Sequence, residues 1–168
     1  MNLYTKEFFH WHLVQTDPNF SNFFIDGDKM VLLDFGAVKS FTPEFVSMYS
    51  NLIEMVHTKN KKAAVEFAIE MELLDSQESD ECFEAFYQMI TASLSAFDVD
   101  KQPFNFNDGQ YFKNAQDCTF RFTRMVKHSP PPHSILFLHR KLGGVFNALK
   151  IMDAKIDISD FWNSAVSV

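Results

Sequence analysis

Over most of the chain, apolar residues recur at roughly the three-to-four-residue period of helices with one buried face. Phe45, Met48, Tyr49, Leu52, Ile53 and Val56 form one such stripe. Thr42 is placed to cap it, and Pro43 suits the first helical position. A second helix is predicted over 61–73. Ser79 caps a third, which turns Phe83, Phe86, Ile90 and Leu94 inward. A fourth is predicted over 110–127, a long one over 134–152 and a short terminal one over 159–166. Between them, 98–108 reads as loop, punctuated by Pro103 and several Asn residues. Pro130-Pro131-Pro132 reads as a stiff break.

The first forty residues read differently. Residues 3–14 are aromatic and apolar and predict a helix running into a loop at Gln15. Phe23-Phe24-Ile25, the turn Asp26-Gly27-Asp28 and Val31-Leu32-Leu33 then predict a β-hairpin. No other sheet of consequence is expected. The fold class is mainly α with one β-hairpin near its N-terminal edge. Residues 1–168 read as a single domain without internal repeats.

Charge and cysteine usage remove several function classes. The net charge of -7 argues against a nucleic-acid binder, which needs a basic stripe. Lys59, Lys61 and Lys62 cluster, but such a run reads as a solvated turn. Cys82 and Cys118 lie far apart and form no CxxC, so free buried thiols are expected. No apolar run approaches the roughly 18 residues of a spanning helix. Glu7, His10 and His12 interrupt the N-terminal apolar stretch, which is therefore not a signal peptide. His10 and His12 are two apart, point to different faces of a helix and do not form a ligand pair. The 20 Phe residues predict a Phe-rich core, or else an apolar face turned to a missing domain or a membrane.

The chemistry concentrates in two elements, Gln15-Thr16-Asp17-Pro18-Asn19-Phe20-Ser21-Asn22 and Leu32-Leu33-Asp34-Phe35-Gly36-Ala37. Protein kinases place a catalytic Asp five residues before an Asn, with Asp-Phe-Gly following a short hairpin later. This chain has that order and spacing. Mg²⁺ takes a few hard oxygens from protein and the rest from water and phosphate. Asp34 can hold such an ion against the phosphates of ATP, and Asn22 can offer a neutral oxygen to a second ion. Asp17 stands where a substrate hydroxyl or water loses its proton. Gly36 frees the backbone to turn away after the metal ligand. Neither half is specific alone; together, bracketing a hairpin after a helix, they are.

These two elements resemble the AarF/UbiB family of atypical, ABC1-type kinases, and Ser129-Pro130-Pro131-Pro132 with Leu138-His139-Arg140-Lys141-Leu142-Gly143-Gly144 resembles its coenzyme-Q branch. Gln15-Thr16 stand where ordinary protein kinases have His-Arg, as in this family. The resemblance implies a protein-kinase-like C-terminal lobe (α+β) with Mg²⁺-dependent ATP binding. It implies ATPase, lipid-kinase or small-molecule-kinase chemistry in support of ubiquinone synthesis. Asp17 takes the catalytic position; Asn22 and Asp34 take the metal and cofactor positions. Implied partners are ATP, quinone-biosynthesis proteins, membrane lipid and the nucleotide-covering N-lobe, whose motifs are absent from these residues. Residues 1–168 then form one partial domain, expected to be inactive or nearly so alone. The implied location is the matrix side of the mitochondrial inner membrane, or the cytoplasmic membrane face in a bacterium. A non-catalytic kinase-like scaffold for protein or lipid partners is the alternative that absence of the N-lobe raises.

Other residues have plainer expectations. His139-Arg140-Lys141 either meets a phosphate or lipid head group or forms the polar face of the long helix, with Lys141 solvated; the second is preferred. Gly143-Gly144 predict close helix packing. Glu70 and Glu72 are expected on the surface of a helix. Phe104 and Phe106 read as a lid or as loop anchors, and Trp162 as the pin of the last helix.

Overall fold

A computed structural model describes residues 1–17, 19–27, 29–129 and 133–166. Helices α2 (Pro43–His57), α3 (Lys61–Glu70), α4 (Asp80–Leu94), α5 (Gly109–Met125), α6 (His133–Ile151) and α7 (Asp160–Val166) follow the predicted order, after a short α1 (Asn2–Thr5). The expected break at Pro130-Pro131-Pro132 lies outside the described residues.

Capping explains where several helices start. The Thr42 hydroxyl accepts from the Phe45 N–H at 3.2 Å, with Pro43 next in line. Ser79 does the same for α4 through the Cys82 N–H, and Asp80 and Glu81 complement the helix dipole there. Asn60 and Asp108 cap α3 and α5 in the same manner. Helix α3 is shorter than its pattern predicts. It ends at Glu70, and Glu72 lies beyond it in a left-handed conformation (φ 57°), although both acids are exposed as expected.

The N-terminal segment departs from expectation. α1 runs into one π-helical stretch, Lys6–His10, and stops; His12 follows with φ 54°. Leu13 and Val14 are not helical but belong to a strand, β1 (Leu13–Gln15). Its partner is β4 (Val38–Ser40), antiparallel, with Gln15 opposite Val38. The predicted hairpin lies between them: β2 (Phe23–Asp26) pairs with β3 (Lys29–Leu32), Phe24 opposite Val31. A further pair, β5 (Phe104–Asn105) with β6 (Lys155–Ile156), ties the central loop to the C-terminal end. The sheet content thus exceeds the single hairpin expected, because β1–β4 and β5–β6 pair residues too distant for local pattern to reveal.

The aromatic residues fill one core and mark one face. Phe8, Phe97, Phe106 and Leu138 are buried completely, with Phe104, Phe146, Phe161 and Trp162 packed around them. Phe97 stacks on Phe161, with ring centroids 3.9 Å apart. Phe104 and Phe106 are therefore anchors, not a lid, and Trp162 pins α7. A second cluster joins α2, α3 and α4 through Leu52, Val56, Ala64, Ala68, Leu74 and Phe86. Phe45 and Tyr49 pack against both clusters. By contrast, Phe24, Ile25, Leu33 and Phe35 are exposed around the hairpin.

A buried carboxylate fastens α5 to the loop before α4. Glu78 accepts from the backbone N–H groups of His128 and Lys127 at 2.6 and 2.9 Å and from the Ser129 hydroxyl at 3.0 Å. Ser129 in turn accepts from the Asp75 N–H. Burial raises the Glu78 pKa, but these hydrogen bonds outweigh it and hold the carboxyl below its ordinary value. Its stabilising contribution is therefore present above the unfolded-state pKa and lost as pH falls through the depressed folded value. Glu78→Gln is expected to lower stability at neutral pH by about 1.5–3 kcal/mol, a charge-assisted bond's worth. It should also flatten the acid limb of stability against pH, measured by urea unfolding. An acid limb identical to wild type would show that Glu78 carries none of it. Cys82, beside Glu78, is a buried free thiol whose pKa burial pushes up to about 11. Among the described residues no helix is long and apolar enough to cross a membrane.

Candidate active site

Asp17, Asn22 and Asp34 are positioned by the two ladders. Strand β1 delivers the chain to Asp17, and a short 3₁₀ turn, Phe20–Asn22, leads into β2. The Asn22 side-chain N–H donates to the Asp17 carboxylate (Oδ2) at 3.1 Å, which joins two of the three residues directly. Asp17 Oδ1 accepts from the Asn19 N–H at 3.3 Å, and the Asn22 N–H donates to the Asn19 carbonyl at 3.0 Å. At the hairpin's base the Leu33 N–H donates to the Asn22 carbonyl at 2.8 Å. Asp34 therefore leaves the hairpin one residue beyond a direct backbone bond to Asn22.

Asp34 is exposed, and its Oδ1 accepts from the Gly36 N–H at 2.7 Å. Gly36 has a second role beside backbone freedom. A Cβ at this position would lie 3.2 Å from Asp34 Oδ1, so any side chain presses on the carboxylate. Beyond it, the Ala37 carbonyl accepts from both the N–H and the hydroxyl of Thr16, at 2.7 and 2.9 Å. Thr16 thus ties the residue before Asp17 to the segment just after Gly36.

Directly behind this loop is a buried polar cluster that sequence reasoning did not identify. Lys141, on α6, is only 2% exposed. Its ammonium donates to Gln15 Oε1 at 3.0 Å, lies 3.3 Å from Glu7 Oε2 and sits 5.8 Å from the centre of the Phe23 ring. Burial raises the Glu7 pKa; Lys141 and the Gln15 backbone partly offset that rise. The expectation that Lys141 is solvated is therefore wrong. His139 bonds the Tyr49 hydroxyl at 2.9 Å, and Arg140 is exposed. Gly143 is open, since a Cβ there would meet nothing within 4 Å, so the close packing expected at this position does not exist. One signal for Lys141 was available: it shares a helical face with Leu138 and Val145. In the sequence Glu7 reads only as an interruption of an apolar run, and Gln15-Thr16 only as a replacement for His-Arg.

The donor set fits a hard divalent cation. With its N–H committed to Asp17, Asn22 presents a carbonyl oxygen, and Asp34 presents a carboxylate on an exposed turn. Among the described residues no group of three or more His, Cys, Asp or Glu side chains could hold a metal alone. An ion here would need phosphate and water to complete its shell, which is how Mg²⁺ binds with a nucleotide.

Residues 1–68 match the model of the ABC1 atypical kinase-like domain. The matched segment contains Asp17, Asn22, Asp34 and Gly36. Over these residues the chain is similar to the ABC1 atypical kinase-like family. Its relatives extend the match beyond residue 68. The mitochondrial atypical kinase coq-8 of Caenorhabditis elegans is 33% identical over 158 residues, covering 87% of this chain and 20% of the relative. The mitochondrial atypical kinase COQ8 of Saccharomyces cerevisiae is 31% identical over 160 residues, 93% of this chain and 32% of the relative. COQ8 of Schizosaccharomyces pombe is 28% identical over 167 residues, 94% of this chain and 26% of the relative. The chain thus spans between a fifth and a third of these relatives' lengths. Its mostly helical architecture with small antiparallel sheets agrees with a kinase-like α+β fragment.

Proposed function

We propose that these residues form the catalytic-loop and metal-binding part of a Mg²⁺- and ATP-dependent atypical kinase or ATPase acting in coenzyme Q biosynthesis. The observation that carries this reading is the junction at the hairpin base. Asn22 bonds the Asp17 carboxylate through its side chain and Leu33 through its backbone, so all three polar residues leave one point of the fold. Asp34 and the Asn22 carbonyl oxygen would hold Mg²⁺, which when bound neutralises phosphate charge. Asp17 would accept the proton of the attacking hydroxyl or water, and its bond from Asn22 orients it for that role. The names of the relatives, mitochondrial atypical kinases, support a mitochondrial location, and a place in quinone synthesis is part of the same proposal. The residues nominated here include no phosphate-contacting lysine or pairing glutamate, so slow turnover by this chain alone is part of the proposal. Membrane lipid and quinone-synthesis proteins are the proposed partners. The single partial domain and its C-lobe role are also part of this reading.

Titration of the chain with ATP in the presence and absence of Mg²⁺ tests it. Metal-dependent binding is expected, with Asp34→Asn raising Kd at least about tenfold. In a full-length context Asp17→Asn should spare binding and cut turnover by about 10²–10⁴-fold, the range of a lost general base. If both variants hydrolyse ATP normally, the roles are misassigned. Absence of any metal-dependent binding at millimolar nucleotide favours the scaffold reading, which the exposed Phe24, Ile25, Leu33 and Phe35 also support.

A further inference from the structure

The geometry points to Lys141 as a positioning residue that fixes the Asp17–Asn22 loop from both ends. This rests on the catalytic reading above but concerns a residue outside the three that carry it. The 3.0 Å bond to Gln15 Oε1 holds the strand two residues before Asp17. The Phe23 ring, 5.8 Å from the ammonium, belongs to the residue immediately after Asn22. The third contact, Glu7 Oε2 at 3.3 Å, lies on the π-helical stretch behind the loop and balances the charge.

One cation therefore touches both flanks of the loop and its support. An apolar side chain of the same length could fill this volume without the desolvation cost that a buried ion pair carries. What it could not supply is a directional bond to Gln15, which is what orients the strand that delivers Asp17. Thr16 completes the restraint on the other side by its two bonds to the Ala37 carbonyl. The loop is thus held between α6 and the segment after Gly36, and Lys141, almost wholly buried, acts on it through Gln15.

The test separates orientation from bulk stability. Lys141→Met paired with Glu7→Gln removes the cation without leaving a lone buried carboxylate. Gln15→Leu cuts only the link toward Asp17 and leaves the Glu7–Lys141 pair. The readouts are hydrogen exchange at the Thr16, Asn22 and Leu33 amides, with the α4 amides as internal reference, and the Kd for Mg·ATP. Both variants are expected to speed exchange at the three loop amides about tenfold while α4 keeps wild-type protection. Where the wild-type chain binds Mg·ATP, Kd should rise by about the same factor. Unchanged loop amides overturn the inference, as does equal loosening of α4, which would mark a merely structural cluster. An unchanged Kd beside a loosened loop overturns it too. A wild-type chain that does not bind Mg·ATP sinks the catalytic reading instead, and the exchange comparison still decides the role of Lys141.

Discussion

Lys141→Ala alone is expected to cost about 3–5 kcal/mol of folding stability, because it leaves Glu7 charged, buried and without a counter-charge. That is a large part of the roughly 5–15 kcal/mol that holds a typical domain together. The loss has a diagnostic pH dependence. The Glu7 pKa is already raised by burial in the wild type, and the Lys141 ammonium is the main influence opposing that rise. Without it the folded-state value climbs further from the ordinary 4.5. A folded state that binds its proton more tightly than the unfolded chain is destabilised as pH rises through the interval between the two values. Acidification reverses this, so the variant's deficit relative to wild type should shrink from about pH 7 to about pH 5. Urea midpoints for both proteins at the two pH values measure it. A deficit that is constant or grows in acid would mean that Glu7 is not its source.

Phe8→Ala is the second large effect. Phe8 is completely buried at the centre of the N-terminal aromatic group, its ring 4.9 Å from Phe9, 5.2 Å from Phe41 and 5.3 Å from Tyr49. Truncation leaves a cavity that these large neighbours cannot close, with an expected loss of about 3–5 kcal/mol. Phe120, more than half exposed under the Arg124 guanidinium, is the control, and Phe120→Ala should cost less than about 1 kcal/mol. Equal losses at the two positions would contradict the placement of the core.

The difference between Phe8 and Phe120 was not visible in the chain, since both sit in helical patterns rich in aromatics. What the sequence made legible was local: the Thr42-Pro43 and Ser79 caps, the hairpin around Asp26-Gly27 and the helix order. Each depends on residues within a few positions of one another. Strand β1 was hidden because its partner, β4, lies 25 residues on, and three residues carry too little alternation to overrule an apolar helical pattern. The helix was stopped by a feature no pattern shows, the left-handed backbone at His12.

The candidate site divides the same way. The sequence marks Asp17, Asn22 and Asp34 as candidates because protein kinases use those residue types at that spacing. Lys141 was not, although its helical face pointed inward. The general exposure of lysine outweighed the period, and its partners Glu7 and Gln15 lie 134 and 126 positions away. A buried cation becomes readable only once a carboxylate is known to meet it.

The clasp of β1 on β4 has a consequence for how this chain can vary. Everything from Gln15 to Val38 is a closed excursion whose two ends are pinned to each other. The Leu33–Asn22 bond closes a smaller loop inside it. The tip of that inner loop, where Gly27 turns with φ 62°, is mechanically downstream of both closures. Residues gained or lost at the tip change only the cost of closing the loop, about 0.6 kcal/mol per doubling of length. The separation of the polar residues at its root stays the same. The hairpin tip is therefore a part of the molecule that can drift, acquire new contacts or be rebuilt without retuning the chemistry beneath it.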